Sequence, residues 1–168
     1  MQLERTLVFM KPDAVQRSIS GEVLSRFERA GYKIVGAKMV KPTQAQFFAH
    51  YETIGQLITR RGQETYDATL NAVMAGPMIG YVLEGVNTVE SVRKMVGSTQ
   101  PSAAAPGTIR GDYAHVTFTY ADTTGSLFSN IIHASATLEE AEKEIAFWFK
   151  SDELFDYANC NDRFVRSV

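Results

Sequence analysis

The sequence predicts an α/β (α+β) fold, a ferredoxin-like sandwich with a four-stranded antiparallel sheet and helices packed on one face. Two observations support it. The segments follow the order βαβ, helices, βαβ, which is the split arrangement of this fold. Only four β-rich segments are evident, which disfavours a doubly wound parallel sheet. The 168 residues, 45% of them hydrophobic, predict a single domain over residues 1–168.

The first βαβ unit is predicted near the start of the chain. Residues 6–10 form a short apolar run, and the strand ends before Pro12 because proline lacks a backbone N–H. Apolar residues recur on one helical face over residues 20–30, and Gly31 is a typical helix C-terminal residue. Residues 32–41 then predict the second strand, which ends at a proline.

Helices are predicted in the middle of the chain. Thr43 and Gln46 have the spacing of a capping box, and Gly55 is placed to end the helix that they begin. A second helix contains residues 66–73 and stops at Gly76 and Pro77.

The second βαβ unit begins with a strand at residues 78–83 and a helix at residues 88–96. Residues 97–112 contain several prolines and glycines, and predict a long loop without regular structure. Apolar and polar residues alternate over residues 116–120, which predicts the fourth strand. A final helix is expected after Thr137.

Composition restricts the partners and the compartment. The net charge of -2 disfavours a dedicated nucleic-acid or anionic-membrane partner and favours a small ligand. Cys160 is the single cysteine, so no intrachain disulfide can form. The chain begins without a signal-peptide pattern and has no apolar run of about 20 residues, the length that spans a bilayer. We therefore expect a cytoplasmic protein with no membrane association.

Several familiar catalytic motifs are missing from the sequence. There is no G-x-x-x-x-G-K-[ST] phosphate loop, no G-x-G-x-x-G opening a helix, and no G-x-S-x-G nucleophile elbow. His50, His115 and His133 lack the spacing of metal ligands, so no metal held by protein side chains is expected.

His133 is the candidate nucleophile. It is predicted on a turn between an apolar pair and the final helix, outside any apolar stripe. Imidazole is largely neutral near pH 7 and can form a covalent phosphoryl intermediate. Glu144, in the helix that follows, could orient the site through Ser135, although a solvent-facing carboxylate is an equal alternative from the pattern alone.

Cationic and neutral donors at the ends of elements suggest a polyphosphate ligand. Lys11, Arg93 and Arg110 each fall where an element meets a loop, and Thr99 and Asn130 add neutral donors. Guanidinium groups bind phosphate oxygens in pairs, whereas lysine acts as a compact charge. Taken singly, each cation is better explained as an ordinary surface charge.

Short motifs follow one another over nearly the whole chain. They are Glu4-Arg5-Thr6-Leu7, Lys11-Pro12-Asp13-Ala14-Val15-Gln16-Arg17, His50-Tyr51-Glu52, Val92-Arg93-Lys94-Met95-Val96-Gly97-Ser98-Thr99, Pro106-Gly107-Thr108-Ile109-Arg110-Gly111-Asp112-Tyr113 and Asn130-Ile131-Ile132-His133-Ala134-Ser135. In this order they resemble the nucleoside diphosphate kinase family.

The resemblance implies an enzyme, a phosphotransferase that moves the γ-phosphoryl group reversibly from a nucleoside triphosphate to a nucleoside diphosphate. The reaction would be ping-pong, through a phosphohistidine on His133. Ser135 and Glu144 match positions that surround the histidine. Mg²⁺ is implied as a cofactor held mainly by the nucleotide phosphates, and the chain is expected to form a homo-hexamer or homo-tetramer. The positions that match nucleotide-binding residues are Lys11, Tyr51, Arg93, Thr99, Arg110 and Asn130.

The chain departs from the family pattern near the histidine and around the base. Ala134 replaces a common glycine, and Ala136 replaces a common acidic residue. The Phe-Phe pair that stacks on the base is absent; Tyr66 is the predicted substitute, with Ile58 or the face formed by residues 65–70 as rivals.

Two other functions compete with kinase activity. One is a catalytically impaired nucleotide-binding or scaffold protein of the same fold, and the presence of His133 argues against it. The other is a sequence-tolerant nucleic-acid binder, which the acidic net charge disfavours.

Overall fold

Four strands form one antiparallel sheet in a computed structural model that describes residues 3–124, 126 and 128–165. The strands are β1 (Leu3–Met10), β2 (Lys33–Val40), β3 (Met78–Val86) and β4 (Ile132–Ala134). Their spatial order is β2-β3-β1-β4, and every neighbouring pair is antiparallel. This order confirms the predicted ferredoxin-like class, with β1 and β3 central and the other two strands at the edges.

Ten α-helices lie among the described residues, joined by shorter turns. They are α1 (Pro12–Gln16), α2 (Ser20–Arg29), α3 (Gln44–Phe48), α4 (Leu57–Arg61), α5 (Gln63–Met74), α6 (Thr88–Val96), α7 (Ile109–Tyr113), α8 (Phe118–Thr124), α9 (Leu138–Trp148) and α10 (Asp162–Val165). A π-helical segment, Ala49–Ile54, continues α3, and short 3-10 turns occur at Pro101–Ala103 and Ser151–Glu153. None of these helices is long and apolar enough to cross a membrane.

The core lies on both faces of the sheet, and β1 contributes to each. Val8 and Met10 pack with apolar residues of α2 and α6. Leu7 and Phe9 point the other way and pack with α3, α5 and α9. Successive side chains of a strand face opposite sides, so a fully apolar run requires cover on both. The prediction that helices pack on one face was therefore too narrow.

The fourth strand was predicted in the wrong place. Residues 116–120 do not form a strand; they lead into α8, which begins at Phe118. The Thr117 hydroxyl accepts the Tyr120 N–H at 3.0 Å, so this threonine initiates a helix. Five residues of alternating apolar and polar character are too few to distinguish a strand from the start of a helix. The real fourth strand, β4, has only three residues and pairs with β1.

The long loop predicted at residues 97–112 is partly regular. It contains the 3-10 turn Pro101–Ala103 and the start of α7. The Thr108 hydroxyl accepts the Gly111 N–H and caps α7. This cap places Arg110 on a helix rather than on an irregular segment.

Candidate active site

A cleft of about 450 Å³ opens beside β4 and brings most of the predicted site residues together. Its walls come from the π-helical segment, α4, α5, α8 and the segment that precedes β4. The sequence-predicted residues that line it are Lys11, Tyr51, Arg93, Thr99, Arg110, Asn130, His133 and Glu144. Ser135 lies directly behind, fully buried.

His133 lies in β4, opposite Phe9 of β1, and not on the turn predicted from the sequence. Its side chain is 18% exposed, and its Nε2 atom lies 3.0 and 3.1 Å from the two carboxylate oxygens of Glu144. An ionised carboxylate only accepts hydrogen bonds, so Nε2 carries the proton. In the neutral ring, the lone pair is therefore on Nδ1.

Glu144 is held as an anion by several contacts. Burial alone would raise the pKa of its carboxyl group, but the charge and hydrogen bond of His133 and the hydrogen bond from Ser135 outweigh burial and lower the pKa to about 2. The Ser135 hydroxyl donates to Glu144 Oε2 at 2.6 Å. The solvent-facing alternative for this carboxylate is wrong, because Glu144 is 1% exposed.

His50 is a site residue that the sequence pattern missed. Its ring lies 4.6 Å from the ring of His133, and its Nδ1 atom accepts the indole N–H of Trp148 at 3.1 Å. Burial, with the nearby charge of His133, lowers the pKa of His50 to about 3, so this ring stays neutral. The available signal was its place beside Tyr51, since the π-helical segment directs both neighbours to the cleft.

A strained turn leads into β4. Ile131 has a φ of 70°, a left-handed conformation that is unfavourable for a β-branched residue. Its N–H donates to the Asp13 carboxylate at 2.9 Å, and its carbonyl accepts the Lys11 N–H at 2.8 Å. The segment after β1 therefore holds the turn that precedes His133.

Lys11 is a buried cation at the end of β1. Its Nζ atom donates to Asn130 Oδ1 at 2.7 Å, and Asn130 donates in turn to the Thr99 carbonyl at 3.1 Å. Burial and the charge of Arg110 lower the pKa of Lys11 to about 8, against the opposing effect of Asp13.

Arg110 lines the cleft and also donates hydrogen bonds to the backbone. The residue is 8% exposed, and its guanidinium donates to the carbonyls of Asn130, Ile132 and Gly97 at 3.1, 2.6 and 3.0 Å. Burial and the charge of Arg93 lower its pKa to about 10, so it remains cationic at neutral pH. Arg110 thus fixes β4 while placing positive charge beside it.

Tyr66, the predicted base-stacking residue, is turned away from the cleft. Its ring is 8% exposed and packs edge-on against Phe47, at 5.1 Å between ring centroids. Helix α5 presents the neighbouring residues Thr65, Ala68 and Thr69 to the cleft instead, which lie on the rival face proposed from the sequence.

A second ion pair crosses the cleft. Arg60 of α4 donates to Glu140 of α9 at 2.5 Å, and the other carboxylate oxygen of Glu140 accepts the Ala136 N–H at 3.3 Å. Thr137 caps α9 by accepting the Glu140 N–H at 3.1 Å. Thr137 and Glu140 have the spacing of a capping box in the sequence, but the Glu140 side chain does not complete it, because it reaches Ala136 and Arg60 instead.

The site defines a class of protein. A histidine held by a buried carboxylate, beside buried cations in an open cleft, suits an enzyme that acts on a strongly anionic ligand. The particular family follows from comparison with known proteins.

The chain matches the family model for nucleoside diphosphate kinase over residues 4–154. Nucleoside diphosphate kinases from Pyrococcus furiosus and Borreliella burgdorferi are 42% and 40% identical to it, over 98% and 94% of this chain and 94% and 93% of theirs. The structure also resembles a transition-state mimic of the Borrelia burgdorferi enzyme with bound vanadate and ADP, with a TM-score of 0.92, 37% identity, and 97% and 96% of the two chains covered. The chain belongs to the nucleoside diphosphate kinase family.

Proposed function

We propose that this protein transfers the γ-phosphoryl group of a nucleoside triphosphate to a nucleoside diphosphate by a ping-pong mechanism through His133. The observation that carries this proposal is the contact between His133 and Glu144, because it leaves Nδ1 unprotonated in a residue that lines the cleft. Family membership supports the reaction class.

The first half-reaction forms the phosphoenzyme. The Nδ1 lone pair of His133 attacks the γ-phosphorus, the bond from that phosphorus to the bridging oxygen breaks, and the nucleoside diphosphate leaves with the electron pair. The ring becomes positive as the P–N bond forms, and the Glu144 carboxylate stabilises this charge through the Nε2 proton. In the second half-reaction, a terminal oxygen of another diphosphate attacks the phosphorus, and the electrons of the P–N bond return to Nδ1.

The cations act on the phosphates. Phosphoryl transfer has a loose transition state, so positioning and charge stabilisation provide most of the catalysis. We assign the phosphate oxygens to Lys11, Arg93 and Arg110, with Thr99 and Asn130 as neutral donors and Tyr51 beside the histidine. The His133–Glu144–Ser135 chain is intact, which argues against the catalytically impaired alternative.

The side chains of this site fit a Mg²⁺ ion that binds together with the nucleotide and is not held by the protein alone. Glu140 and Glu144, the buried carboxylates of the cleft, are already bonded to Arg60, His133 and Ser135. The ligand atoms of His50, His133 and Glu144 lie within 4.8 Å of one another, but nitrogen donors suit zinc better than magnesium. We infer that a magnesium ion would be held mainly by the nucleotide phosphates rather than by these side chains, and that it would neutralise part of the phosphate charge.

The remaining features of the protein are also proposals. Nucleoside tri- and diphosphates would be its partners, with no dedicated nucleic-acid or membrane partner. We propose that the protein is cytoplasmic, because its single cysteine suits a reducing compartment. The family resemblance supports a homo-hexamer or homo-tetramer.

Initial-rate kinetics test the mechanism. Rates are measured with ATP varied at several fixed concentrations of dTDP in the presence of Mg²⁺. We expect parallel double-reciprocal lines, because the first product leaves before the second substrate binds. Intersecting lines would indicate a ternary complex and contradict the phosphoenzyme.

A further inference from the structure

Phe118 and Phe128 line one wall of the cleft and have no part in the proposed phosphoryl transfer. Phe118 begins α8, and Phe128 follows that helix. Their rings are stacked, with centroids 4.3 Å apart and an interplanar angle of 15°, and both residues line the cleft that contains His133.

This aromatic pair is tied to the phosphate side of the cleft. The Phe118 N–H donates to the side-chain carbonyl of Gln100 at 3.2 Å, and Gln100 directly follows Thr99. Ala121 of α8 is buried. The wall is therefore fixed relative to a residue that we assign to the phosphates.

Among the described residues, the part of the cleft lined by helix α5 has no comparable aromatic surface. Helix α5 lines the cleft with Thr65, Ala68 and Thr69, while its tyrosine packs in the core. The other rings that line the described part of the cleft, His50, Tyr51 and His133, cluster together at the reactive end. An aromatic surface away from the histidine comes from Phe118 and Phe128.

A nucleotide with its terminal phosphate at the histidine needs a place for its base further along the cleft. Bases stack on aromatic side chains, and this contact tolerates any base because each has a π-face. Two rings already stacked have an outer face that a third ring can extend.

We propose that Phe118 and Phe128 form the base-binding wall of this enzyme, on which the nucleobase continues the stack. This inference rests on the proposed function, since it concerns the same nucleotide. The chain thus supplies the aromatic contact from α8 rather than from α5, where Tyr66 was expected.

The test compares a substrate that has a base with one that lacks it. The kcat/KM values for ATP and for ribose 5′-triphosphate are measured for the wild type, Phe118→Leu, Phe118→Trp and Tyr120→Leu. Leucine keeps apolar volume but removes the π-face. Tyr120 is a matched control, an aromatic residue of the same helix that is 60% exposed and does not line the cleft.

We expect the ratio of kcat/KM for ATP to that for ribose 5′-triphosphate to fall about tenfold in Phe118→Leu, as for one lost base–aromatic stack. Phe118→Trp should keep or raise the ratio, and Tyr120→Leu should leave it unchanged. An unchanged ratio in Phe118→Leu, or an equal fall in Tyr120→Leu, would overturn the proposal. A wild-type protein without phosphotransfer would instead overturn the proposed function, so the two failures are distinguishable.

Discussion

Lys11 is a charged residue of the cleft with a pKa in the mildly alkaline range. Burial and Arg110 lower its pKa to about 8, so the ammonium loses its proton as the pH rises through this value. A neutral amine no longer stabilises phosphate charge. The profile of kcat/KM against pH reports ionisations of the free enzyme.

We predict that kcat/KM for ATP falls above about pH 8, toward a tenfold loss for each further pH unit. In Lys11→Arg the normalised profile should stay level to higher pH, because arginine remains protonated there. Identical alkaline limbs in the two proteins would assign this ionisation to another group.

Glu144 acts through His133 and does not face the phosphates directly in this account. Glu144→Gln removes the negative charge but keeps the shape, and it weakens a charge-assisted hydrogen bond of roughly 1.5–3 kcal/mol. We predict that kcat falls about 10- to 100-fold while KM for ATP changes little. A raised KM with normal kcat, measured in the same assay, would mean that Glu144 contributes to nucleotide binding instead.

The chemistry of single residues was predictable from the sequence, but their surroundings were not. His133 and Lys11 follow from residue type and motif. The buried environment of His50 and the three carbonyls bound by Arg110 depend on contacts between elements distant in sequence. Tyr66 was misassigned because consecutive side chains on a helix point about 100° apart, given 3.6 residues per turn. Its neighbour Thr65 faces the cleft instead.

Helix α9 links stability to catalysis because it carries Glu144. Its N-terminus is capped by the Thr137 hydroxyl. We predict that Thr137→Ala lowers the free energy of unfolding by about 1 kcal/mol, while Thr137→Ser, which keeps the hydroxyl, has a much smaller effect. Urea denaturation measures both; an equal loss in the two variants would show that the hydroxyl is not the stabilising group.

Elements with strong local signals were predictable, and those set by tertiary contacts were not. The capping box of Thr43 and Gln46 forms as predicted. Strand β4 has three residues and exists because it pairs with β1, a long-range contact without a local signature. Its position was therefore assigned to residues 116–120, where alternation imitates a strand.

At the scale of the whole molecule, the sheet order follows from the chain order. Two βαβ units that interleave place β1 and β3 in the centre, and the structure confirms this arrangement. The sequence analysis did not predict that helices cover both faces of the sheet. The uninterrupted apolar run of β1 indicates this second layer, because its side chains point to both faces.

The assembly of the chain into a homo-hexamer or homo-tetramer stays a prediction. Sedimentation of the full chain, with a subunit of 18.6 kDa, should give the mass of four or six copies. A monomer at micromolar concentration would contradict the expected homo-hexamer or homo-tetramer.

The phosphoenzyme on His133 is the central claim, and labelling with γ-³²P-ATP tests it most directly. The wild type should acquire an acid-labile, alkali-stable label that a nucleoside diphosphate removes. His133→Ala should acquire none, while His115→Ala, which changes an exposed histidine that does not line the cleft, should label normally. An unlabelled wild type, or a labelled His133→Ala, would contradict the account.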